Sequence, residues 1–100
     1  MDSDLFDLEL SDDFEKDLIR LIKNDKKLLK RFENRLKQLS IDPKHNSLKS
    51  HKVDTKKFDD VWSSSITGDI RIIWIYAPNK DKIIVLLQTG SHSGSNKVYK

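Results

Sequence analysis

Two segments, "DIRIIWIYA" and "KIIVLLQTG", carry apolar residues at both odd and even positions and are joined by "PNKDK". A strand points successive side chains to opposite faces, so apolar side chains of both parities demand cover on both faces. The proline and asparagine between the two segments suit a turn. The chain must therefore build a sheet around these two strands and supply something to pack on it.

The cover is written upstream. "LFDLELS" alternates Phe6, Leu8 and Leu10 with Asp7 and Glu9, the period of a half-buried strand. It runs into "SDDFE", where Ser11 or Asp12 can cap a helix and Glu15, three after Asp12, suits a capping box. Phe14, Leu18, Leu21 and Ile22 then recur at helical spacing. "KNDKK" interrupts that stripe, and Asp25 offers a second cap. Leu28, Leu29, Phe32, Leu36 and Leu39 make a second stripe, with Lys30, Arg31, Arg35 and Lys37 on the other faces. A helical hairpin packed on a sheet is expected rather than a coiled-coil partner, because strands follow. Pro43 ends the second helix. "HKVDTKKFDDVWSSSIT" reads as one or two short strands with a polar connection. The order implies an α+β fold: an N-terminal strand and a two-helix hairpin packed on a mostly antiparallel sheet of four to five strands. One hundred residues make one domain, residues 1–100.

Charge narrows the function. Residues 1–17 hold eight acids against one base, a net −7, whereas the other 83 residues hold eighteen bases and eight acids, a net +10. A basic body of that size suits a polyanion, although a solvated lysine-rich surface has the same composition. There is no cysteine, so disulfides and thiolate metal sites are excluded, and the three histidines are scattered. No cofactor or metal is expected. The first residues are acidic rather than basic and then apolar, and no apolar run approaches a membrane span, so a cytoplasmic protein without membrane contact is expected.

No glycine-rich phosphate loop is present. The polar residues left on the sheet half are His51, Trp62, Ser63 to Ser65, Asp69, Arg71, His92 and Tyr99. Asp69 and Arg71 share parity with Ile73 and Ile75, while Ile70, Ile72, Trp74 and Tyr76 share the other. If the second set faces the helices, Asp69 and Arg71 look out from the opposite face. His92 follows the neighbouring strand directly. Such a set suits RNA cleavage by the 2′-hydroxyl, which needs a base, an acid and a cation at the phosphate. Each residue has a plainer alternative. Asp69 and Arg71 suit a surface ion pair equally well, His92 suits a Gly/Ser-rich turn, His51 can simply hydrogen-bond a backbone carbonyl, Trp62 suits the core and Tyr99 a packing anchor. His45 reads as surface.

The ordered set "SLKSHKV", "WSSSITGDIRIIWIY", "IIVLLQTGSH" and "NKVYK", with "FEKDLIRL" opening the first helix, resembles the RelE/ParE superfamily of toxins from type II toxin–antitoxin systems, in its YafQ- and RelE-like branch. The resemblance spans nearly the whole chain. It implies the compact α+β fold deduced above. It also implies a ribosome-dependent mRNA endonuclease that cleaves by metal-free 2′-hydroxyl attack and leaves a 2′,3′-cyclic phosphate. The partners implied are a cognate antitoxin, the ribosome and mRNA, with the free toxin a monomer.

Carried over by resemblance, His51 matches the histidine of the YafQ-like "D-H-x-L" stretch and would share in proton transfer. Asp69 matches the YafQ-like aspartate opening the long strand. Arg71 matches the RelE-like arginine that stabilises the phosphate. His92 matches the YafQ-like histidine of "G-T-H" and would be the general acid. Tyr99 matches the late RelE-like tyrosine that stacks on RNA or assists the proton. The accompanying RNA contacts are expected from Lys49, Lys52, Lys56, Lys57, Trp62, Ser64 and Lys97. Trp62 and Ser64 stand where RelE-like members have lysines, and Ser65 where YafQ-like members have a second histidine. These departures keep two alternatives open: a ParE-like toxin directed at gyrase, and a degenerate toxin that only binds antitoxin or RNA.

Overall fold

The computed structural model of the chain describes residues 5–91. Its elements are β1 (Asp7–Leu10), α1 (Asp12–Ile22), α2 (Lys26–Ile41), a 3-10 turn (Asn46–Leu48), β2 (His51–Val53), β3 (Val61–Ser65), β4 (Ile70–Tyr76) and β5 (Ile83–Ser91). The strands form one sheet in the order β1-β5-β4-β3-β2. β1 runs parallel to β5, and every other pair is antiparallel. This is the mostly antiparallel α+β architecture expected, with its single parallel pair at one edge. Among the described residues, no helix is long and apolar enough to cross a membrane.

Side-chain caps start both helices. Asp25 accepts from the Leu28 N–H at 3.0 Å and caps α2. Ser11, not Asp12, caps α1, so Phe14 rather than Glu15 takes the third helical position and the expected capping box does not form. Ser11 Oγ accepts from the Phe14 N–H at 3.1 Å and donates to the Leu87 carbonyl at 2.9 Å. Leu87 is the extra residue of a bulge, because the register passes from Ile73↔Gln88 to Trp74↔Leu86. One hydroxyl thus joins the start of α1 to the irregular point of β5. Ser11→Ala is expected to cost about 1–2 kcal/mol in urea unfolding, since it removes a cap and strands a carbonyl. Ser11→Thr should recover most of that loss.

The apolar parities resolve into two cores. On the helix side, Phe14, Phe32, Leu39 and Leu48 bury Ile66, Ile72, Trp74, Ile84 and Leu86. On the other side, Val61 and Ile73 are buried with Val53, Phe58, Ile75 and Leu87 around them. The second core takes Phe58 from the connection between β2 and β3. Thr55 organises this connection: its Oγ1 accepts from the N–H groups of Lys57 (3.3 Å) and Phe58 (2.9 Å). Lys57 Nζ then reaches Asp13 in the first turn of α1 at 3.2 Å. The polar connection read from the sequence is therefore a strap over the apolar end of the open face.

Candidate functional site

β4 lies between β3 and β5, so its side chains sit mid-sheet. Ile70, Ile72 and Trp74 pack against the helices, whereas Ile73 and Ile75 belong to the opposite core. Arg71 shares the parity of Ile73 and therefore stands on the face away from the helices. Its cross-strand neighbours are Ser65 and Gly90. Gly90 places no side chain of its own beside the guanidinium.

Arg71 is held in place. Its Nη1 donates to Ser65 Oγ at 2.9 Å and to the Thr67 carbonyl at 3.0 Å. Ser65 Oγ itself donates to the Thr67 carbonyl at 2.8 Å. The Arg71 carbonyl accepts from Thr89 Oγ1 at 2.6 Å, which fixes the backbone beneath. All these bonds to the guanidinium use Nη1, so among the described residues Nη2 and Nε have no partner and can grip an anion. A guanidinium edge of this kind matches two phosphate oxygens at once.

Asp69 sits in the β3–β4 turn, where its N–H donates to Thr67 Oγ1 at 3.1 Å. Its carboxylate accepts from Ser91 Oγ, the residue ending β5. The turn thus brings Asp69 and Arg71 to the point where β5 ends. His92, Lys97 and Tyr99 lie outside the described residues.

His51 opens β2 and pairs with Ser63, which pairs with Ile73. It is therefore on the same face as Arg71, two strands across and two residues along, or roughly 12 Å between Cα atoms from standard sheet spacings. His51 Nδ1 lies 2.9 Å from the Lys49 carbonyl. A carbonyl only accepts, so Nδ1 carries a proton, and the tautomer this contact selects for the exposed ring leaves the Nε2 lone pair for a base. The carbonyl contact that made His51 look merely structural is what sets this tautomer.

Two expected RNA contacts belong elsewhere. Trp62 pairs with Trp74 on the helix side and stacks on it at 5.6 Å and 14°. Lys44 and Lys52 cover its ring at 4.7 and 5.4 Å. Ser64 is fully buried and accepts from Trp74 Nε1 at 2.7 Å. Both have the parity opposite to Arg71, so neither faces an anion held there. Lys52 is paired with Asp60 at 2.9 Å and Lys57 with Asp13, while Lys49 and Lys56 are exposed. Tyr76 closes the aromatic row, and burial together with the Asp42 carboxylate raises its phenol above the usual value, so it stays a neutral hydroxyl.

Thr67, one anchor of Arg71, is absent from the polar set read from the sequence, whereas Ser65, the other, is in it without this role. The available signal was parity: a hairpin that pairs Ser65 with Arg71 puts both side chains on one face.

Comparisons agree with this architecture. The family model described as the ParE toxin of the type II toxin-antitoxin system, parDE, matches residues 8–95. No curated protein sequence matches the chain. A copper-bound mutant toxin from Helicobacter pylori is 26% identical, with 88% of this chain and 96% of that one covered and a TM-score of 0.62. The DinJ-YafQ complex of E. coli gives 21% identity, 87% and 93% coverage and a TM-score of 0.63. A YoeB/ParE toxin from Agrobacterium tumefaciens shares the fold at a TM-score of 0.70, with 13% identity and 88% and 100% coverage. A family match over residues 8–95, on a fold that other toxins share, makes the chain a member of the ParE toxin family, within the RelE/ParE superfamily of type II toxin–antitoxin toxins.

Proposed function

We propose that this toxin is a ribosome-dependent mRNA endonuclease acting at the open face of the sheet. The observation that carries the reading is Arg71: a guanidinium pinned through Nη1, with its other nitrogens turned to no described partner, on the face that also bears His51. In the reaction the 2′-oxygen attacks the adjacent phosphorus and the 5′-oxygen leaves, giving a 2′,3′-cyclic phosphate and a 5′-hydroxyl. His51 Nε2 takes the 2′-hydroxyl proton. Arg71 balances the extra negative charge on the pentacoordinate phosphate. His92 returns a proton to the leaving oxygen, and Tyr99 stacks on a neighbouring base, both as the family resemblance implies. Asp69, bonded to Ser91, steadies the end of β5 that leads to His92. Exposed Lys49 and Lys56 add positive charge to the approach.

A type II toxin has a cognate antitoxin as its partner. The net +10 body favours an acidic antitoxin surface as well as RNA.

A second reading is a gyrase-directed toxin without nuclease chemistry. It draws on the family description and on the seryl groups at Ser64 and Ser65, which serve the core and Arg71 rather than a proton relay. Primer extension on a defined mRNA, with and without translating ribosomes, separates the two. Cuts that require ribosomes are the expected result. No cuts in either arm, together with loss of gyrase supercoiling on adding the same protein, would transfer the assignment to gyrase.

A further inference from the structure

A second polar surface lies on the other side of the sheet. Arg31, Asn34, Arg35 and Gln38 recur at three- and four-residue steps along α2, so they share one flank. With Ser47 they line an open groove between α2 and the 3-10 turn. Arg35 Nη1 donates to the Ser47 carbonyl at 3.2 Å, which holds one guanidinium against the turn. Arg31 is exposed. Neither arginine belongs to an ion pair among the described residues, and no carboxylate lines the groove.

His45, beside this groove, has the tautomer opposite to that of His51. The Ser47 N–H donates to its Nδ1 at 3.1 Å, so Nδ1 is an acceptor and the ring proton sits on Nε2. With His45 beside it, the groove offers donors of several kinds: guanidinium, amide, hydroxyl and imidazole N–H groups. A solvated helix face usually interleaves acids with its bases at four-residue spacing. Residues 23–41 instead hold seven bases and two acids, a net +5.

Chemistry selects the ligand. Paired guanidinium groups match phosphate oxygens, and amide and imidazole N–H groups serve the same acceptors. Lys27 continues the flank one turn before Arg31, and from Lys27 to Gln38 the helix rises roughly 16 Å, too long for one phosphate. We infer that this groove, Arg31, Asn34, Arg35, Gln38 and Ser47 with His45 beside it, binds successive phosphodiester groups of an RNA backbone. It is an anchoring site on the opposite side of the sheet from Arg71, and it holds RNA whether or not Arg71 cleaves it.

The test uses a short 2′-O-methyl RNA, which has no 2′-hydroxyl to react, so the result stands apart from the nuclease reading. Affinity is read by fluorescence anisotropy across a salt series with the full chain. Arg31→Ala and Arg35→Ala should each weaken binding about 5- to 10-fold near 0.1 M salt and reduce the salt slope by about 1. Lys80→Ala, an equal loss of charge at an exposed position, should change little. Arg31→Ala removes no hydrogen bond to a described residue, so its result does not hinge on folding. Equal weakening by Lys80→Ala would reduce the groove to bulk charge and overturn the inference. Unchanged RNA affinity in both arginine variants would overturn it too, and loss of antitoxin affinity in those variants would then mark the groove as a protein-docking surface.

Discussion

Arg71→Ala is expected to lower the rate of mRNA cleavage about 10²- to 10³-fold while leaving the fold intact. The magnitude follows from what a positioned donor contributes when charge develops on a transition state. The fold should survive, because among the described residues the guanidinium bonds Ser65 Oγ and the Thr67 carbonyl alone, at the polar end of the open face, and the cores lie elsewhere. Arg71→Lys should recover little. An ammonium is a point charge: it cannot stay bonded to Ser65 and Thr67 while also presenting two N–H groups to a phosphate. Single-turnover cleavage in a ribosome assay reads the chemical step, and circular dichroism melting checks the fold. His92→Ala should lower the same rate at least tenfold as the loss of a general acid. If neither variant changes cleavage, the site is somewhere other than the open face.

Much of this frame is legible in the sequence because alternation is physical. The parity of residues 69–76 separates Arg71 from the helix-facing set, and the structure keeps that separation, whereas Asp69 stands in the turn before β4 and its carboxylate reaches Ser91, the partner of helix-facing Ile70. The helical hairpin followed from two apolar stripes and an interruption, and Asp25 caps as expected. Parity, however, says nothing about register or about which strands are neighbours. The parallel pairing of β1 with β5 depends on the two helices carrying the chain back across the sheet, a tertiary consequence. Trp62 and Ser64 were placed with RNA by their family positions, but the β3–β4 register turns them inward with Trp74. Nor could residues 54–60 be read as a strap: their cover depends on Phe58 reaching Ile73 and on Lys57 reaching Asp13, both distant in sequence.

The inward turn of Ser64 leads to the other large expected effect. Trp74 is fully buried, stacks on Trp62 and meets the edge of Tyr76 at 5.0 Å and 86°. Its Nε1 donates to Ser64 Oγ at 2.7 Å. Ser64 and Ser50 hydroxyls lie 2.6 Å apart, and Ser50 Oγ is 2.7 Å from the Pro43 carbonyl. A carbonyl only accepts, so Ser50 donates to Pro43 and Ser64 must donate to Ser50. The relay Trp74 to Ser64 to Ser50 to Pro43 is therefore fully satisfied and joins β4, β3 and the segment after α2. Trp74→Ala empties a large core volume and removes the head of the relay, at a cost of about 3–5 kcal/mol. Small domains have total stabilities of roughly 5–15 kcal/mol, so this variant should be mostly unfolded or melt tens of degrees lower. Trp74→Phe keeps much of the packing and loses the donor, for about 1–2 kcal/mol. Ser64→Ala should likewise lower the melting temperature while leaving RNA affinity unchanged, the opposite of what a phosphate contact would do. Urea melts of the three variants against the parent chain give the ranking. A Trp74→Ala protein within 1 kcal/mol of the parent, by the same linear extrapolation, would mean that the aromatic row does not hold the sheet to its helices.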